Sequence, residues 1–122
     1  MSPTAPAYAI IVCSRCRNGH GDAAADDLVS RLAPHAQTAG FRLETAACLA
    51  GCTRPLAVAF TAPAKATFLF GGIDSANDAG ALLAFAHQYR ALPDGWCNEG
   101  ARPAGLRGKT LARIPHIPEL AP

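Results

Sequence analysis

Apolar residues fall along this chain in short blocks whose spacing alternates between strand and helix periods. Residues 8–12, YAIIV, are a continuous β-rich apolar run and predict a buried strand that ends at Cys13. After the glycines at 19 and 21, Asp22 is a plausible N-cap, and Asp26 and Asp27 suit the positive end of a helix. Leu28, Leu32 and Ala36 recur at i, i+4 and i+8 with Val29 beside them, which predicts an amphipathic helix to Ala39, stopped by Gly40. Pro34 should kink or split it. Residues 41–46, FRLETA, alternate as a half-buried strand does. After Pro55, LAVAF predicts a further buried strand, and ATFLF beyond the turn at Ala62 to Lys65 predicts its hairpin partner.

Ser75 to Asp78 has capping-box spacing, with Asp in place of Glu, ahead of a helix to Tyr89 whose inner face is Leu82, Leu83, Ala86 and Tyr89. Pro93-Asp94-Gly95 is a turn signal. From Trp96 onward there are four prolines and little periodicity, so residues 94–122 read as an irregular extension packed on the rest. Residues 1–7 read as a loose tail, leaving 8–93 as the domain proper. The order β-α-β-β-β-α suits a right-handed parallel crossover followed by an antiparallel hairpin. It predicts an α/β fold of thioredoxin-like layout, a mixed four-stranded sheet covered by helices.

Composition narrows the function classes. The chain has 122 residues, half of them hydrophobic and 16% charged, enough for one compact domain. Aromatics are few and alanine is abundant, which suggests a core of small and aliphatic side chains. A formal net charge of +2 gives no reason to expect nucleic acid or an anionic membrane as partner. No run approaches the ~20 apolar residues of a membrane helix. The N-terminus lacks a basic n-region, so a soluble cytoplasmic protein is expected.

The candidate chemistry lies in the cysteines. Cys13 and Cys16 form a Cys-x2-Cys pair, and after 31 residues Cys48 and Cys52 form a Cys-x3-Cys pair. Each pair follows a predicted strand. Parallel neighbours in a βαβ unit end on the same edge of a sheet, so both cysteine loops should meet at one end. Thiolates two or three residues apart can share an ion or a cluster without strain. In the cytosol such pairs are more often metal or redox groups than disulfides. Spacing alone leaves open a closed four-cysteine Zn2+ site and a 2Fe-2S cluster. It also leaves a thiol-disulfide oxidoreductase using Cys13 and Cys16, since that pair lies between a first strand and a helix, where a helix start and Arg15 would lower a thiol pKa. Cys97, beside Trp96, is expected as a packed bystander. His20 is a candidate neighbour of the site, and His35 and His87 read as helix surface. His116 has no partner that the sequence identifies. No other catalytic constellation stands out, and the chain is not read as an enzyme.

The segment from Cys48 to Pro55, CLAGCTRP, resembles the second cysteine pair of thioredoxin-like 2Fe-2S ferredoxins, in which a Cys-x3-Cys loop precedes a proline and a hydrophobic strand. Over residues 8 to 118 the chain also resembles a bacterial family of small four-cysteine proteins described as predicted metal-binding proteins. The stretches that carry this are CSRCR, CLAGCTRPLAVAF, KATFLFGGI, LPDG and ARIPHIP. The resemblance implies a thioredoxin-like fold, a 2Fe-2S cluster on Cys13, Cys16, Cys48 and Cys52, an electron-transfer role with a redox partner protein, and a homodimer. It also implies a link to cobalamin or other tetrapyrrole metabolism. One feature departs from the ferredoxins: their first two cysteines lie about a dozen residues apart, whereas only Ser14 and Arg15 separate Cys13 from Cys16. Arg15, Arg17 and Arg54 flank the cysteines and would stabilise an anionic cluster and steer an acidic partner.

Overall fold

The structure, a computed structural model, describes residues 8–13, 23–46 and 56–116. Strand β1 (Tyr8–Cys13) leads to helix α1 (Ala23–Leu32), a 3-10 turn (Ala33–His35), a short helix α2 (Ala36–Ala39) and strand β2 (Phe41–Ala46). Strands β3 (Val58–Thr61) and β4 (Thr67–Phe70), helix α3 (Ala79–Ala91) and strand β5 (Thr110–Ile114) complete the order, with 3-10 turns at Glu99–Ala101 and Ala104–Leu106.

The sheet is mixed, in the order β2-β1-β3-β4-β5. Strands β1 and β2 are parallel, with Tyr8 facing Phe41 and Cys13 facing Ala46. The pairs β1/β3, β3/β4 and β4/β5 are antiparallel. This corrects two expectations. The sheet has five strands rather than four, and the extension after Trp96 is not irregular throughout, because Thr110–Ile114 pairs along β4.

The helix predicted to run to Ala39 is split where Pro34 enters. Proline lacks an N–H and cannot sit mid-helix, so the chain tightens into the 3-10 turn before α2 resumes. Gly40 then stops it in the left-handed region at φ 78°, its N–H donating to Ala36 O. The predicted Ser75 cap does not form: α3 starts at Ala79, after Asp78, with no side-chain cap, and a turn stands ahead of it. The Asp74 carboxylate accepts the N–H groups of Ala76 and Asn77, both at 2.9 Å, and these bonds hold it below the usual carboxylate range. Asp78, the residue before α3, accepts the Asp74 N–H and an ion pair from Lys109.

The core also differs from the aliphatic one expected. All five phenylalanines and both tyrosines are buried. Phe60, Phe68, Phe70, Phe85 and Tyr89 form a set of mostly edge-to-face contacts with centroids 4.9–6.2 Å apart. Such rings each remove ~150–250 Å² from water, so seven of them dominate a small core however much alanine surrounds them. Phe85 joins the predicted inner face of α3, with Leu82, Ala86 and Tyr89 fully buried and Leu83 only partly so.

The two ends of the sheet are closed by different means. At the Tyr8 end, Tyr89 Oη donates to Ala66 O at 2.6 Å and Tyr8 Oη to Ala39 O at 3.1 Å. Lys65 Nζ donates to the α3 carbonyls of Tyr89 and Arg90 at 2.7 and 2.9 Å, and Arg90 reaches Ala39 O at 3.1 Å. At the Cys13 end, backbone bonds carry much of the closure among the described residues. Cys13 N–H donates to Ala57 O at 3.0 Å, Ile73 N–H to Leu56 O at 3.1 Å, and Gly71 N–H to Lys109 O at 2.8 Å. No helix among the described residues is long and apolar enough to cross a membrane.

Candidate metal centre

Cys13 is the last residue of β1 and is buried, 1% exposed. Strand β1 lies between β2 and β3, and its side chains alternate between the two faces of the sheet, so Cys13 shares a face with Ala9 and Ile11. Its parallel partner ends at Ala46, directly opposite. Neighbouring strands lie ~4.8 Å apart, so the chain enters residue 14 and residue 47 from adjacent points on one edge. The third strand returns to the same edge, since Val58 pairs with Val12 and Ala57 O accepts the Cys13 N–H.

Cys16, Cys48 and Cys52 lie outside the described residues, as do His20, Arg15, Arg17 and Arg54. Among the described residues no group of three or more His, Cys, Asp or Glu side chains could hold a metal ion. Of the predicted ligand set, the structure therefore describes Cys13 alone, together with the strand ends from which the other three follow.

The remaining candidates fall away from this edge or from the chemistry. His35, His87 and His116 are exposed. Cys97 is buried in the core, 6% exposed, and its carbonyl accepts a 3.0 Å bond from Arg102. That placement agrees with a packing role. Sequence reading passed over Asp78 and Lys109, an ion pair at the Cys13 end of the sheet with the aspartate almost fully enclosed. In the sequence Asp78 reads only as part of a helix cap. Its link to Lys109, 31 residues later, follows from the pairing of β5 with β4, which nothing in the local pattern announces.

Comparison with protein families places the chain: it belongs to the family described as a protein of unknown function (DUF1636), whose model matches residues 10–116. The comparisons with curated proteins and with solved structures give no match.

Proposed function

For this member of the DUF1636 family, we propose an iron–sulfur protein that holds a 2Fe-2S cluster through Cys13, Cys16, Cys48 and Cys52 and serves as a small cytoplasmic electron carrier. The observation that carries the reading is the parallel register of β1 and β2, with Cys13 opposite Ala46. Chain connectivity keeps the Cα of Cys48 within ~7 Å of that of Ala46, and the Cα of Cys16 within ~11 Å of that of Cys13. Two cysteine pairs tethered to neighbouring points on one sheet edge are within reach of one cluster. We read the β2-β1-β3-β4 part of the sheet as thioredoxin-like, a reading supported by the parallel first pair, the α1 crossover and the antiparallel hairpin.

When bound, the cluster would supply one-electron chemistry. The protein would supply the thiolates, backbone N–H groups near the sulfurs, and cover from water. The burial of Cys13 suits a ligand. It counts against Cys13 as the attacking thiol of a dithiol enzyme, because such a thiol must be exposed to its substrate.

The test is an anaerobic visible and EPR spectrum of fresh protein, with iron, zinc and sulfide analysis. About two irons and two sulfides per chain, with an EPR signal on reduction, are expected. A colourless preparation with stoichiometric zinc and no sulfide would replace the cluster by a four-cysteine zinc site. Metal-free disulfide reductase activity that survives Cys48→Ser would replace both.

A further inference from the structure

The two edges of the sheet are finished differently. Strand β2 carries Arg42 and Glu44, an exposed ion pair at 3.1 Å. Opposite charges along an edge are a common guard against pairing with another chain. Strand β5 carries one charge, Arg113, with no opposite charge on the strand. Its burial fades along its length, and Arg113 and Ile114 are exposed. Trp96 and Ile114, 44% and 60% exposed, are the large exposed hydrophobics among the described residues, and both belong to this edge. The Arg113 guanidinium lies 5.3 Å from the Trp96 ring centroid. Arg113 and Ile114 are neighbours on a strand and point to opposite faces, so an apolar side chain stands on either face at this edge, which no other described strand covers.

Charge selects the occupant. From Gly100 to His116 the chain contains Arg102, Arg107, Lys109 and Arg113 and no carboxylate. Arg102 is buried against the Phe68 ring, and Lys109 is taken up by Asp78. Arg107 and Arg113 remain exposed. In antiparallel self-pairing about Ala112, Arg113 of each copy would face Leu111 of the other. The two guanidiniums would be diagonal neighbours with Cα atoms only ~7–8 Å apart, and no carboxylate on the strand answers them. An extended segment alternating carboxylates with β-branched residues meets these features: strand hydrogen bonds, apolar contact at Ile114 on one face, and carboxylates beside Arg113 and Trp96 on the other.

We propose that the outer edge of β5 is a docking site for an extended acidic segment of a partner protein, which adds as a sixth strand. The site is separate from the cysteine edge and does not depend on what the cysteines bind.

Trp96 is the chain's one tryptophan, so it reports on this edge directly. The full-length protein is titrated with an acetylated, amidated peptide of sequence Val-Glu-Val-Asp-Ile-Glu-Val, and in parallel with its version carrying Lys at the three acidic positions. Binding of the acidic peptide should shift Trp96 emission and slow amide exchange at residues 110–114. Arg113→Glu should weaken it about tenfold and turn the preference toward the lysine peptide. Arg42→Glu on the opposite edge should change nothing. The proposal is overturned if neither emission nor exchange responds at about 1 mM peptide, if both peptides bind alike, or if protection falls elsewhere. A concentration-dependent dimer that protects 110–114 and is indifferent to the acidic peptide would overturn it in favour of a second copy.

Discussion

The Tyr8 end and the Cys13 end of this sheet are built to opposite plans. At the Tyr8 end side chains do the closing: two buried tyrosine hydroxyls, a lysine on the last carbonyls of α3, and an arginine reaching back to α2. At the Cys13 end the described closure is made almost wholly by backbone bonds that extend the strand ladder, with the Asp78–Lys109 pair beside them. The tyrosine hydroxyls and the cations on helix carbonyls are thus placed at the end of the sheet away from Cys13. The stability of the fold and the chemistry of the cysteines should therefore be separable by mutation.

The largest expected effect tests that separation. Cys48→Ser should reduce iron and sulfide to background, because one thiolate in four is lost, while the urea midpoint of the metal-free chain changes little. Iron analysis and a denaturation curve on the same preparation check both halves. Unfolding of the metal-free variant, with the metal-free wild type still folded, would break the comparison.

Next comes Tyr89, the centre of the locked end. It lies fully buried against Phe60, Phe68, Phe85 and Tyr8, and its hydroxyl holds Ala66 O. Tyr89→Ala should cost about 3–5 kcal/mol in urea denaturation. The same residue gives a pH signature. Burial pushes the hydroxyls of Tyr8 and Tyr89 up to about 12, with Arg90 opposing the effect at Tyr8. Both stay neutral in the fold at pH values where the unfolded chain, at its ordinary value near 10, has ionised them. Their contribution is full below pH 10 and is lost as pH rises toward 12. An alkaline titration should show this loss, and Tyr8→Phe with Tyr89→Phe should flatten it.

Gly95 follows. It sits at φ 72°, and a Cβ there would lie 2.7 Å from Tyr89 Cε1 and 3.0 Å from Lys65 Cβ. Gly95→Ala should cost about 1–3 kcal/mol, combining left-handed strain with a clash against a ring that cannot move. A thermal melt measures it.

These cases show what the sequence made legible. The split at Pro34, the stop at Gly40 and the turn at Pro93-Asp94-Gly95 follow from backbone chemistry that acts over a few residues. The parallel pairing of β1 with β2 follows from the crossover rule, and it carries the candidate site as far as the described strand ends. Strand β5 was not legible. As an edge strand it needs only one neighbour, its burial is partial, and the prolines at 115 and 118 argue locally against a strand. The late start of α3 was equally hidden: Asp78, not Ser75, precedes the helix and makes no side-chain cap, while Asp74 closes the turn ahead of it.

The smallest expected effect probes the Cys13 end. Asp78 Oδ2 accepts both the Asp74 N–H and the Lys109 ammonium. Lys109→Met removes the cation and leaves an enclosed carboxylate with a single described donor. The lysine side chain is 25% exposed and the aspartate 9%, so water can reach the pair from the lysine side. The cost should be about 1–2 kcal/mol, below that of breaking a fully buried pair. Adding Asp78→Asn should recover part of it, because no lone charge then remains. A double-mutant cycle in urea reads this coupling. Additive costs would mean that the pair contributes nothing beyond its separate parts.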